Sequence, residues 1–145
     1  MSELKQALRN AIEVERSAAR FYSKLAARTK QQDARAFLEG LVAEENSHAA
    51  ALEAKSRELI EGPLPEHPDW SFENIETVPD WTLADDVSLD QALQVALEAE
   101  QSAELFYDAI ADTTTGAVSE FFRNVSKNEA NHVKIIADMI AKQRG

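Results

Sequence analysis

Glu45-Asn46-Ser47-His48 and Glu129-Ala130-Asn131-His132 are the two stretches from which the rest of the sequence can be read. Each sets a carboxylate and an imidazole three residues apart, on one face of a helix. Each also lies inside an apolar rhythm of fours and threes. The first runs Ala34, Leu38, Leu41, Glu45, His48, Leu52, and the second Val118, Phe122, Val125, Glu129, His132, Ile136, Met139. Upstream of each is a further stripe carrying one Glu. Leu4, Leu8, Ala11, Glu15, Ala18, Tyr22 and Leu25 precede the first; Leu89, Leu93, Ala96, Glu100, Ala103, Tyr107 and Ile110 precede the second. One apolar stripe per helix is the seam of a bundle. The sequence therefore predicts an all-α chain, a four-helix bundle.

The two halves are a repeat. Ala11-Ile12-Glu13-Val14-Glu15 recurs as Ala96-Leu97-Glu98-Ala99-Glu100, and Phe21-Tyr22 as Phe106-Tyr107, both at an offset of 85. Phe37 and Glu45-x-x-His48 recur as Phe121 and Glu129-x-x-His132 at an offset of 84, which puts the lost residue in the turn. Those turns are expected at the polar breaks Thr29-Lys30-Gln31-Gln32-Asp33 and Asp112-Thr113-Thr114-Thr115-Gly116. Asp33 and Thr115 are the expected N-caps of the following helices, and Ser88 with Gln91 a capping box. All four prolines fall between Pro63 and Pro79. They divide the chain into two αα-hairpins, about 2–61 and 88–144, joined by a connector of about 62–87. A connector of that length can run the full length of the bundle, which favours a long crossover and one domain over residues 1–145. Its Trp70, Phe72, Ile75, Val78 and Trp81 are expected to pack on the bundle or on a neighbour.

Composition sets limits on the chemistry. The 145 residues include no cysteine, which excludes disulfides, iron–sulfur clusters, thiol nucleophiles and cysteine-bound iron. Acids outnumber bases 26 to 15, for a net charge of -11, a field that opposes nucleic acid and anionic membranes. No basic cluster stands out in the linear sequence. The polar start, Met1-Ser2-Glu3-Leu4-Lys5, does not read as a signal peptide, and no apolar run is long enough to span a membrane. A cytoplasmic protein is expected.

The polar residues within the seams carry the function. The midpoint of 15 and 45 is residue 30, and that of 100 and 129 falls between 114 and 115, so both lie inside the expected turns. Each Glu is then about 15 residues, roughly 22 Å, from its bend. If the hairpins pack antiparallel, Glu15, Glu45, Glu100, Glu129, His48 and His132 meet at one level. Four carboxylates in a core must be protonated, paired or metal-bound. No Lys or Arg stands near that level in any seam. Two divalent ions balance four carboxylates, and the mixed oxygen and nitrogen donors suit Fe, Mn or Zn better than Ca or Mg. A polar core network without metal is the other reading. Tyr22 and Tyr107, seven residues beyond Glu15 and Glu100, are either core filler or phenols that hydrogen-bond a ligand carboxylate or a bound oxygen species. Glu13, Glu44, Glu98 and His67 are read as surface.

With these residues in place, the sequence resembles the ferritin-like di-iron carboxylate proteins, whose known ligand pattern this is. Ala11-Ile12-Glu13-x-Glu15, Phe21-Tyr22 and Glu45-Asn46-Ser47-His48 are most similar to the rubrerythrin family. The resemblance implies Glu15 and Glu100 as terminal ligands, Glu45 and Glu129 as bridging ligands, and His48 and His132 as one imidazole per metal. It implies two metal ions, iron first, with zinc or manganese as alternatives. It further implies reduction of hydrogen peroxide or O₂, and a homodimer. Typical rubrerythrins carry a rubredoxin domain, which a cysteine-free chain cannot form, so electrons are expected from a separate rubredoxin-like protein or reductase. They also often carry an extra Glu where this chain has Ala103. No fifth helix and no Met in the second helix are expected, which separates the chain from bacterioferritin. Two other functions fit the same ligands: ferroxidase activity feeding iron storage, and a structural zinc bundle.

Overall fold

The computed structural model describes residues 2–69 and 88–144. Every regular element among them is an α-helix: α1 Ser2–Arg28, α2 Gln32–Leu59, α3 Leu89–Thr113 and α4 Gly116–Arg144. The chain forms two compact units, residues 1–74 and 75–145. α1 packs on α2 in the first and α3 on α4 in the second, so each unit is an αα-hairpin. The turns are residues 29–31 and 114–115, one residue fewer in the second, which accounts for the change of offset from 85 to 84.

The expected seams are buried. Leu8, Ala11, Ala18, Tyr22 and Leu25 of α1 and Leu38, Leu41 and Leu52 of α2 are core, as are Leu93, Ala96, Ala103, Tyr107 and Ile110 of α3 and Phe122 and Ile136 of α4. Leu4, Leu89, Val118, Val125 and Met139 are half-buried. Aromatic packing differs between hairpins: the Tyr107 ring stacks on Phe122 at 6.2 Å, whereas the residue matching Phe122 in the first hairpin is Leu38.

The helix ends follow local chemistry. Ser88 Oγ accepts from the Gln91 backbone N–H at 3.1 Å while Gln91 Oε1 accepts from the Ser88 N–H, completing the expected capping box. α4 starts at Gly116, one residue after Thr115, and Gly116 takes φ 64, which a residue with a Cβ adopts at a cost. The Asp33 expectation is corrected. The N-cap of α2 is Gln31, in extended conformation and without a side-chain cap. Asp33 falls inside the first turn, where its carboxylate faces the positive end of the helix dipole. Thr29 takes over the polar work of the break by donating its hydroxyl to the Leu25 carbonyl at 2.7 Å.

The start of the connector is fastened to α1. Buried Asn10 donates to the Asp69 carbonyl at 3.0 Å and accepts from the Asp69 N–H at 2.8 Å. Gln6 donates to the His67 carbonyl, and Arg9 to that of Glu66. Trp70, Phe72, Ile75, Val78 and Trp81 lie outside the described residues.

Candidate metal centre

Each hairpin builds half of the expected constellation. In the first, Glu15 and Glu45 are buried and His48 lies beside them, with its Nδ1 3.5 Å from Glu15 Oε1. In the second, Glu100, Glu129 and His132 are all buried. His132 Nδ1 stands 3.4 Å from Glu100 Oε2 and 3.9 Å from Glu129 Oε2. The Glu and His donor atoms of each Glu-x-x-His pair come within 4.8 Å of each other. The halves differ in their imidazoles: the His48 side chain is 24% exposed and that of His132 only 4%.

The helices explain this geometry. Spacing of three turns Glu45 and His48, and Glu129 and His132, to one side of α2 and α4. The equal arms about each turn bring Glu15 level with Glu45, and Glu100 level with Glu129. Two carboxylates per half cannot be neutralised by one imidazolium, so the donor set has a charge excess that suits a divalent cation. The separations suit it as well. Two donors each about 2.1 Å from one ion, at angles from a right angle to slightly beyond tetrahedral, lie about 3.0–3.6 Å apart. The Glu15–His48 and Glu100–His132 separations fall in that range. These residues fit a metal.

A family model described as Rubrerythrin matches residues 1–56 and 91–145, which include all six of these residues. The chain belongs to the rubrerythrin family. The match passes over residues 57–90, where the connector lies. The structure is also similar to the crystal structure of ferritin-like, diiron-carboxylate proteins from Bacillus anthracis str. Ames. The TM-score is 0.72, with 95% of each chain covered and 21% identity, a likeness of fold. The fold is thus the ferritin-like four-helix bundle of two hairpins, as the seams predict. No curated protein sequence matches the chain.

The other expected positions are placed as follows. Tyr22 and Tyr107 are fully buried, each edge-on to its neighbouring Phe at 5.5 and 5.3 Å. Glu44, Glu98 and His67 are exposed; Glu13 is half-buried and receives Arg20 at 3.1 Å. Ala103 is buried. No helix among the described residues is long and apolar enough to cross a membrane.

A feature not seen in the linear sequence is a basic face on α1. Arg16, Arg20, Lys24 and Arg28 recur every fourth residue and are exposed. The i, i+4 spacing is the signal that would have found it. Between 16 and 35 there are six bases and one acid, Asp33, in a chain whose acids are in large excess.

Proposed function

We propose that the two half-sites serve one dinuclear centre and that this rubrerythrin-family protein reduces hydrogen peroxide, or O₂, with electrons from a separate donor. The observation that carries the reading is the matched pair of buried Glu, Glu and His sets, one per hairpin, in a chain whose family is di-iron. Glu15 and Glu100 would each hold one ion, Glu45 and Glu129 would bridge, and His48 and His132 would each supply one imidazole. When bound, two ferrous ions supply the two electrons that, with two protons, convert the O–O bond of peroxide into two waters.

The protein's own residues set the environment. The helix seams hold six donors in place before any metal arrives, which limits the reorganisation on binding. Leu41, Leu52 and Ile136 line the same stripes as apolar neighbours and restrict water. Helical side chains lean toward the N-terminus, so Tyr22 and Tyr107, two turns beyond Glu15 and Glu100, lean toward the ligands. Their phenols would position a ligand carboxylate by hydrogen bonding. The family reading carries a cytoplasmic homodimer with it, without nucleic acid or membrane as partner.

The test is anaerobic Fe(II) loading followed by rapid mixing with H₂O₂ or O₂, read by the near-ultraviolet absorption of oxidised iron. Saturation at a dinuclear load with faster oxidation by H₂O₂ supports the proposal. Faster oxidation by O₂ with iron accumulating past that load would replace it with storage, and failure to bind iron would leave the buried acids as a polar network or a zinc site.

A further inference from the structure

The basic face of α1 does more than decorate a surface. It forms one wall of a groove of about 540 Å³ between α1 and α2, lined by Arg16, Arg20, Ser23, Lys24, Val42 and Asn46. A smaller hollow continues it past Ala26 and Ala27 to Arg35 and Glu39. The groove lies wholly within the first hairpin. Arg16 adjoins Glu15 and Asn46 adjoins Glu45, so its floor lies about one helix diameter, ~10 Å, around from the half-site. Its ion pairs, Arg16 with Glu53, Arg20 with Glu13 and Arg35 with Glu39, join exposed arginines to half-buried or exposed carboxylates, and such surface pairs are weak.

We propose that this groove is the docking surface for an acidic electron-carrier protein, which delivers electrons to the metal site through the hairpin wall. This rests on the reading above that reductant comes from a separate protein. The chain has no cysteine and so no thiolate-ligated relay of its own. A separate donor approaches from solvent, and the groove is one place where the surface is lined by residues adjoining Glu15 and Glu45. Charge selects the partner. Screening at physiological salt limits each surface charge to about 8 Å. A small acidic protein of limited footprint therefore meets a face on which Arg16, Arg20, Lys24, Arg28 and Arg35 outnumber Glu13, Glu39 and Glu53. A long polyanion meets the whole molecule and its net charge of -11, which disfavours nucleic acid. The second hairpin offers no equivalent: Gln101, Leu105, Ala109 and Thr113 occupy the positions 85 residues on.

The test titrates the ¹⁵N-labelled full-length protein, as purified, with zinc-substituted rubredoxin, an acidic and diamagnetic carrier. Amide shifts are expected at residues 16–28 and 35–46. Affinity is expected to fall at least tenfold in the Arg20→Glu/Lys24→Glu variant and with added salt, and to be unchanged in Lys127→Glu/Lys134→Glu on α4. Shifts elsewhere, an insensitive double variant, tighter binding of a short DNA duplex to the same residues, or a self-association lost in the double variant by light scattering would each overturn the proposal. A second experiment separates it from the function it rests on. Reduced rubredoxin and reduced methyl viologen are each mixed with the iron-loaded, oxidised protein. The double variant should slow rubredoxin by roughly 10- to 100-fold and leave the viologen rate unchanged. Viologen-driven peroxide turnover without rubredoxin docking defeats the groove alone; docking without any peroxide turnover defeats the function alone.

Discussion

α1 and α3 are the same helix on the inside and different helices on the outside. Leu8, Ala11, Glu15, Ala18, Tyr22 and Leu25 have buried counterparts in Leu93, Ala96, Glu100, Ala103, Tyr107 and Ile110. On the far face, Arg16, Arg20 and Lys24 stand where α3 has Gln101, Leu105 and Ala109, and Leu105 is left 55% exposed. Packing density and buried charge constrain the inner face, where one misplaced group is costly. The outer face is constrained only by what meets it from solvent. A difference there is therefore informative about partners, and a likeness within is informative about the fold and the site.

The comparison can be broken most sharply at the proposed ligands. Glu45→Ala and Glu129→Ala should each abolish dinuclear binding, measured as iron per chain after anaerobic loading and gel filtration. Equal losses would show that the halves contribute alike, and full retention in either variant would overturn the ligand assignment. Next in size is the core. Phe122→Ala removes a ring stacked on Tyr107 and should lower stability by about 3–5 kcal/mol, against about 2–5 kcal/mol for Leu38→Ala at the matching position. Urea unfolding followed by circular dichroism would rank them.

A smaller effect is expected at Asn10, whose counterpart in α3 is Val95. Asn10→Ala removes two hydrogen bonds to Asp69 and leaves a backbone N–H and carbonyl to find water, a loss of about 1–3 kcal/mol. Amide exchange at Asp69 should accelerate while that of α3 stays unchanged. The smallest effect belongs to the second hairpin alone. Arg144 clasps Asp90 through two hydrogen bonds of 2.9 and 3.0 Å, which hold the Asp90 carboxyl below the usual carboxylate range. A lowered folded pKa gives stability that is present above the unfolded value, near 3.9, and is lost as pH falls through the folded one. Both groups are solvent-exposed, so Asp90→Asn should remove only a slight acid-limb dependence of Tm, and less at high salt.

Helix number, turn position and the inner face were legible because they repeat. The rhythm of Leu38, Leu41, Glu45, His48 and Leu52 has few alternative readings, and a second copy fixes the register. Asp33 is not the cap because cap preference is a weak local signal, and helix α2 starts at Gln32, two residues earlier than an Asp33 cap would set, without a side-chain cap. The Asn10 clamp was invisible, since it joins residues 59 apart through backbone groups that every sequence has. The basic face repeats at regular spacing, but inside a chain whose acids are in large excess composition alone does not reveal it.

The Asn10 clamp also says where this protein can be cut. Severing the chain after Leu59, the last residue of α2, would discard the backbone that Asn10 binds and leave its buried amide with the Gln6 side chain alone of these partners. Severing it beyond Asp69 would keep donor and acceptor together. The first hairpin, as a compact unit, is therefore about ten residues longer than its helices, with its tail held on the surface of α1 by the Asn10–Asp69 hydrogen bonds.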